Sequence, residues 1–242
     1  MREDKRIGAV IPALNEARAI GLVISAIPGW IDQIVIGDNG STDGTGDIAR
    51  KAGADVVREE EPGYGAACLA ALSQLNTIDI VVFLDGDYSD YPEDMHQLVD
   101  PILHDQADMV IASRAIGECE RGALTPQQRF GNWLATFLIH RIWGTRYTDL
   151  GPFRAIRWTS LQSLDMADRN YGWTVEMQIK ALEHGLKVCE VPARYRRSIG
   201  VSKVSGTVKG SVMAGYKILS IIARHALRYW LSTKRKSAPE QN

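Results

Sequence analysis

The sequence predicts an α/β protein with a mostly parallel central sheet, helices on both faces and a C-terminal amphipathic helix. Three observations carry this. Short apolar runs of strand length alternate with longer stretches at helical spacing through the first half of the chain. The runs are bounded by Gly, Asn, Asp and Pro, the residues of turns and helix caps. Hydrophobic residues make up 45% of 242, which is enough for a core on both sides of a sheet.

The elements follow in order. Residues 7–11 read as a strand and 15–27 as a helix, with Asn15 placed to cap it. Residues 33–37 are a strand. Residues 42–52 are a helix, opened by Ser/Thr/Asp and stopped by Gly53. Residues 55–58 are a short strand, 64–75 a helix, 80–84 a strand, 93–104 a helix behind Pro92, and 109–113 a strand. The second half is less regular. Helices are expected over 126–143, 174–184 and 207–231, and strands over 153–156 and 188–195. One domain over 1–206, a basic amphipathic helix over 207–236 and a disordered tail over 237–242 describe the organisation.

The net charge of −1 hides an asymmetry: from Val191 onward the balance is +10, and before it −11. A basic tail on an acidic body suits an anionic partner such as a diphosphate or a membrane surface. Nucleic acid is not expected, since no helix-turn-helix, zinc-finger or stacking-aromatic pattern accompanies the charge. The three cysteines show no paired spacing, which argues against zinc or a disulfide framework and for a reducing cytoplasm. No secretory leader and no run of roughly 18–20 apolar residues is present.

In such sheets ligands bind beyond the carboxyl ends of the strands, and five polar stretches carry the chemistry. In "IPALNE" (11–16), Pro12 ends a strand and Asn15 either caps a helix or meets a ligand. In "IVIGDNGSTDGTGDIA" (34–49), Asp38 directly follows an apolar strand. It either caps a turn or accepts from a uracil or guanine N–H or a ribose hydroxyl. In "EEEPGYGAA" (59–67), Gly63 and Gly65 permit close backbone approach at a helix start, a place that favours an anion. No P-loop or dinucleotide glycine pattern is completed there. In "FLDGDYSD" (83–90), Asp85 and Asp87 flank Gly86 at a strand's end. Alone they are an acidic turn; at a sheet edge both can turn toward one hard cation, Mg²⁺ or Mn²⁺. In "YRRSIGVSKVSGT" (195–207), Arg196, Arg197 and Lys203 crowd a loop that is either solvated or neutralises a leaving diphosphate.

Taken in order, "VIPALNE", "DNGSTDGT", "GYGAA", "FLDGD", "ADMVIASR", "RFGN", "TDLGPFRA", "YGWTVEMQIKALEHG" and "EVPARYRRSIGVSKVSGT" resemble the family 2 glycosyltransferases of the GT-A, Rossmann-like fold. The likeness is to the branch of dolichyl-phosphate mannosyltransferases and polyprenyl-phosphate sugar transferases. The resemblance implies an inverting, metal-dependent transfer from a UDP- or GDP-sugar to a polyprenyl phosphate or a hydroxyl acceptor. Pro12, Asn15, Glu16, Asp38, Gly65 and Gly86 would form the donor side, with Asp85 and Asp87 holding Mg²⁺ or Mn²⁺. Arg197, Ser202 and Lys203 would close on the diphosphate. Ser113, Arg114, Arg129 and Asn132 would sit near the acceptor. Glu176 matches a carboxylate near the reaction centre, and with Asp149 it is a candidate base for a hydroxyl acceptor.

Three departures stand out. Ser89 occupies a position where mannosyltransferases of this branch often carry Gln, Asp38-Asn39 replaces the usual double Asp, and the C-terminal membrane spans of many relatives are absent. The competing readings are a sugar-1-phosphate nucleotidyltransferase, whose glycine-rich N-terminal loop is missing, and a non-catalytic sugar-nucleotide binding module. In the last helix Val212, Tyr216, Leu219, Ala223, Ala226 and Trp230 share one face, with Lys217, Arg224 and Arg228 beside it. Such a face suits a peripheral site on a cytoplasmic anionic bilayer, the body of the domain, or a second copy of the chain.

Overall fold

A computed structural model describes residues 1–199 and 208–236, with side chains of the last helix described from 213 to 231. The chain order is β1 (Ile7–Ala13), α1 (Ile20–Ala26), β2 (Gln33–Asp38), α2 (Thr45–Lys51), β3 (Asp55–Arg58), α3 (Tyr64–Leu72) and β4 (Ile80–Phe83). After a one-turn 3₁₀ segment come α4 (Met95–Leu103), β5 (Met109–Cys119), α5 (Pro126–Trp143) and β6 (Arg154–Arg157). The chain then forms α6 (Trp158–Leu164), α7 (Trp173–Glu183), β7 (Val188–Tyr195) and α8 (Val208–Lys236). Expectations placed on Ser202, Lys203 and residues 237–242 lie outside the described residues.

Seven strands form one sheet in the order β3-β2-β1-β4-β6-β5-β7. β6 runs antiparallel to both its neighbours and the other pairings are parallel. Side chains alternate across the sheet as a strand's period of two requires. Ile7, Ala9 and Ile11 of β1 enter one core layer with Ile20, Val23, Leu98 and Ile102. Val10, Val35, Val81, Phe83 and Ile111 enter the opposite layer with α3, α7 and α8. Each fully buried Ile or Phe contributes roughly 1.5–3 kcal/mol, so this double-faced burial is what holds the sheet.

Several element bounds differ from expectation for local reasons. α1 starts at Ile20 rather than at residue 15, and its N-cap is Ala19. Asn15 is not a helix cap. It sits at φ 54°, donates its backbone N–H to Ser41 Oγ and accepts from the Thr42 N–H through Oδ1, both at 2.9 Å. α5 has the expected bounds because its start is fully specified. Thr125 and Gln128 form a reciprocal capping box, Pro126 opens the helix, and Gly144 closes it at φ 79°. β5 runs six residues past the expected end. Beyond an irregularity between Ser113 and Glu118 it pairs again with β7 at Arg194 and Tyr195. α6 was not anticipated.

α8 packs on α5 and α7, burying Ile221, Ile222 and His225. The apolar face anticipated for it is the opposite one. Tyr216, Leu219 and Trp230 on that face are exposed. Among the described residues no helix is long and apolar enough to cross a membrane.

Candidate active site

Two cavities bear on function, and the smaller opens at the carboxyl ends of β1 and β4. The smaller, about 260 Å³, is lined by Pro12, Glu16, Asn39, Tyr64, Asp85, Gly86, Asp87, Asn170 and Tyr171 among others. Five of the residues expected on the donor side (Pro12, Glu16, Asp85, Gly86 and Asp87) therefore meet here. Asn15 and Asp38 stand behind the wall rather than in it. Asp38 is buried and accepts the Ser41 N–H at 2.9 Å, so these two residues shape the loop from 38 to 42.

Gly63 and Gly65 do permit a close backbone approach, and what approaches them is the protein's own chain. A Cβ on Gly65 would collide with the Asp168 carbonyl oxygen, and one on Gly63 with that of Arg169. The two glycines let the chain segment 168–169 lie directly on the start of α3, where the Ala66 N–H donates to Arg169 O at 2.9 Å.

The Asp85–Asp87 edge is built with care for orientation. Tyr64 Oη donates to Asp85 Oδ1 at 3.1 Å. Ser89 is fully buried and gives Asp87 Oδ1 both its N–H, at 3.0 Å, and its hydroxyl, at 2.6 Å. Ser89 thus aims Asp87. Asp90 is also buried, with Oδ2 3.4 Å from the Asp85 N–H. Burial, with the Asp87 charge behind it, pushes the Asp85 carboxyl up to about 7. Burial together with both neighbouring carboxylates raises Asp90 well above the usual range. Carboxylates crowded until they resist ionisation suit a divalent cation, which relieves the repulsion. Among the described residues no three acidic, His or Cys ligands converge. A cation held here would draw on Asp85 and Asp87 and take its remaining ligands from substrate phosphates and water.

The larger cavity, about 860 Å³, lies between the far half of β5, α5, the segment 147–150 and α8. Arg114, Arg129 and Asn132 line it, together with Trp133, Tyr147, Thr148, Asp149, Leu150, Ile218 and the glycines Gly131 and Gly215. Ser113 stands behind it, its hydroxyl 2.6 Å from Thr148 Oγ1. Arg114 makes a two-pronged ion pair with Asp149, 2.7 Å on each arm, and also donates its backbone N–H to Asp149 Oδ2 at 2.8 Å. This pairing raises the Arg114 guanidinium above its usual range despite burial. The same guanidinium, acting against burial and the Asp87 charge, offsets part of the rise at Asp85.

Two expected catalytic groups are engaged elsewhere. Glu176 is buried in α7, accepts the N–H groups of Ala167 and Asp168, and pairs with Lys180 at 2.9 Å. It anchors the turn at 167–168 and does not line either cavity. Arg197 turns its guanidinium to the Arg121 carbonyl, at 3.1 and 2.7 Å. Arg196 is committed to the loop after Asp87. It donates to the carbonyls of Tyr88 and Asp90 and lies 3.4 Å over the Tyr88 ring. Sequence reasoning missed Tyr64, Asn39, Asn170 and Tyr171. Tyr64 stood inside "GYGAA", where only the glycines were read.

The family model for glycosyl transferase family 2 matches residues 9–164. An uncharacterized glycosyltransferase of Mycobacterium tuberculosis H37Rv is 34% identical over 210 residues, covering 86% of this chain and 94% of the relative. A dolichyl-phosphate hexose transferase of Haloferax volcanii is 30% identical over 229 residues, covering 92% and 96%. The crystal structure of M. tuberculosis glucosyl-3-phosphoglycerate synthase with Mn²⁺, UDP and glucosyl-3-phosphoglycerate matches with a TM-score of 0.76 at 25% identity. That match covers 92% of this chain and 80% of the synthase. A sheet of this order, a carboxylate pair at the end of β4 and these relatives converge on one assignment: the chain belongs to glycosyl transferase family 2 and is a glycosyltransferase of the GT-A fold.

Proposed function

We propose that the chain transfers a hexose from a UDP- or GDP-linked donor to the phosphate of a polyprenyl lipid, with inversion, at a membrane surface. The observation that carries this reading is the charge of the acceptor cavity. Its lining holds Arg114 and Arg129, and Asp149 is its one carboxylate among the described residues. Both Asp149 oxygens are taken up by Arg114. A hydroxyl acceptor needs a base within hydrogen-bond reach. A lipid phosphate is ionised at neutral pH and needs none. Its oxygen forms a bond to the anomeric carbon as the bond to the nucleoside diphosphate breaks and the electron pair leaves with the diphosphate. Bound Mg²⁺ or Mn²⁺ would stabilise that leaving charge. The lipid acceptor named for the Haloferax relative and the Mn²⁺ and UDP named for the mycobacterial synthase support the same reading.

The outer surface supports a membrane site. Phe130, Trp133 and Phe137 of α5 are 61%, 56% and 45% exposed and lie in succession, ring centroids 5.8 and 5.7 Å apart, the first pair tilted and the second stacked. α8 adds exposed Tyr216, Leu219, Leu227 and Trp230, with exposed Arg224 and Arg228 among them. Aromatic rings beside arginines suit the interface of an anionic bilayer. A second reading, a water-soluble phosphorylated acceptor, draws on the acceptor product named for the mycobacterial synthase.

Incubation with UDP- and GDP-sugars plus Mn²⁺ separates the readings. Sugar transfer to polyprenyl phosphate in liposomes is expected. Transfer to soluble hydroxyl acceptors with none to the lipid would overturn the assignment. Wild-type protein is expected to float with anionic liposomes, and a Phe137→Glu, Leu227→Glu double variant to remain mostly in the soluble fraction. Equal partition of the two counts against the membrane site. A smaller effect is expected at Tyr64. Tyr64→Phe removes a hydrogen bond to Asp85, a loss of about 1 kcal/mol, and should weaken Mn²⁺ binding about five-fold in an EPR titration. Unchanged binding would show that Tyr64 does not orient Asp85.

A further inference from the structure

One helix lines the larger cavity and also touches the segment that flanks the wall of the smaller. Ala214, Gly215 and Ile218 of α8 line the acceptor cavity. From the same stretch of helix, Lys217 Nζ reaches Asp168 Oδ2 at 2.9 Å, and the Asp168 side chain is only 6% exposed. One turn on, buried Ile221 lies so close to Gly172 that a Cβ there would collide with it. Asp168 organises the segment in front of α7. Its Oδ1 accepts the N–H groups of Asn170 at 2.8 Å and Gly172 at 3.0 Å. Its own N–H donates to Glu176 Oε2 at 2.7 Å. On the far side, Arg169 O accepts from Ala66 of α3. Between these anchors Asn170 and Tyr171 form part of the donor cavity wall.

The charges leave Lys217 a specific task. Arg169 is paired with Glu61 at 2.7 Å and Glu59 at 3.4 Å, and Lys180 with Glu176. Among the described residues Lys217 is the cation paired with Asp168. A shielded carboxylate that accepts two N–H groups is held more firmly in place when a cation also bonds its other oxygen. We propose that Lys217 and Asp168 are positioning residues through which the acceptor-side helix holds the Asn170–Tyr171 wall of the donor cavity. The inference rests on the donor reading above. It makes nucleotide affinity depend on a contact from the acceptor side, and by linkage makes acceptor occupancy respond to the donor.

The test uses the full chain with UDP and GDP, each with Mn²⁺, in calorimetric titrations, and hydrogen exchange of the free protein. Lys217→Met keeps the length of the side chain and removes its charge; Asp168→Asn keeps an oxygen for the two N–H groups. Each is expected to weaken nucleotide binding about five-fold or more, with the loss on donor KM rather than kcat. Lys217→Arg should restore affinity, and the double variant should be no weaker than either single one. Exchange across 165–173 should quicken in Lys217→Met while β1 stays protected. Unchanged exchange in that segment overturns the proposal. So does a lowered Tm with nucleotide affinity intact, the signature of a purely structural tie. If the wild type binds neither nucleotide, the donor reading fails, and the exchange result alone still decides whether Lys217 holds this wall.

Discussion

Asp87→Asn is expected to lower sugar transfer by about three orders of magnitude, the scale of about 4 kcal/mol of lost transition-state stabilisation. The choice of asparagine matters. Asp87 Oδ1 accepts both the N–H and the hydroxyl of Ser89, which is fully buried. Alanine would strand that hydroxyl and mix a packing defect into the result. Asparagine keeps an oxygen for Ser89 and removes only the charge that a divalent cation needs. EDTA should abolish wild-type turnover to a similar extent, and added Mn²⁺ should restore the wild type but not the variant. Full turnover of Asp87→Asn, or of the wild type in EDTA, would remove the Asp85–Asp87 edge from the mechanism.

The second large effect is expected at Asp149. Its side chain is 2% exposed and that of Arg114 14%, so neither charge has water to fall back on. Removing one member of a buried, two-pronged pair typically costs about 3–5 kcal/mol. For a chain of this size Asp149→Ala should lower Tm by roughly 10 °C, measured by calorimetry. The loss should be fully visible at neutral pH, because Arg114 stays charged throughout the accessible range. An Arg114→Met, Asp149→Leu double variant should recover much of the stability, since no buried charge is then left alone. It should not recover transfer, because the acceptor cavity has lost the guanidinium that would meet a phosphate. A double variant with wild-type transfer would show that this pair serves the fold alone.

How much of this was legible in the sequence depended on whether the cause was local. Strands were legible because a short apolar run is a property of neighbours, and β3 and β7 have the expected bounds. α5 was legible because its cap, first proline and closing glycine lie within its own stretch. The Asp85–Asp87 edge could be read because a carboxylate pair directly after "VVFL" is unusual in itself. The misreadings were non-local. Asn15 looked like a cap, yet its partners are Ser41 and Thr42 in the next loop. Gly65 was expected to permit close approach at a helix start, and only the fold shows that a carbonyl about a hundred residues away lies against it. Glu176 was expected near the reaction centre, and only the fold shows that backbone N–H groups surround it. α6 was missed because it follows β6 with no breaking residue between them.

Gly131 and Gly215, on the walls of the larger cavity, have a different kind of meaning. A Cβ on either would meet nothing within 4 Å, unlike the crowded glycines at the start of α3. Both sit inside helices, where alanine is favoured over glycine by roughly 1 kcal/mol. Neither the backbone nor the packing demands glycine at these points. What the two positions supply is width, so the bore of the cavity is a setting that two single-codon changes can narrow. On the acceptor reading proposed above, graded side chains at 131 and 215 would set the thickness of chain the cavity admits while leaving Arg114 and Arg129 untouched.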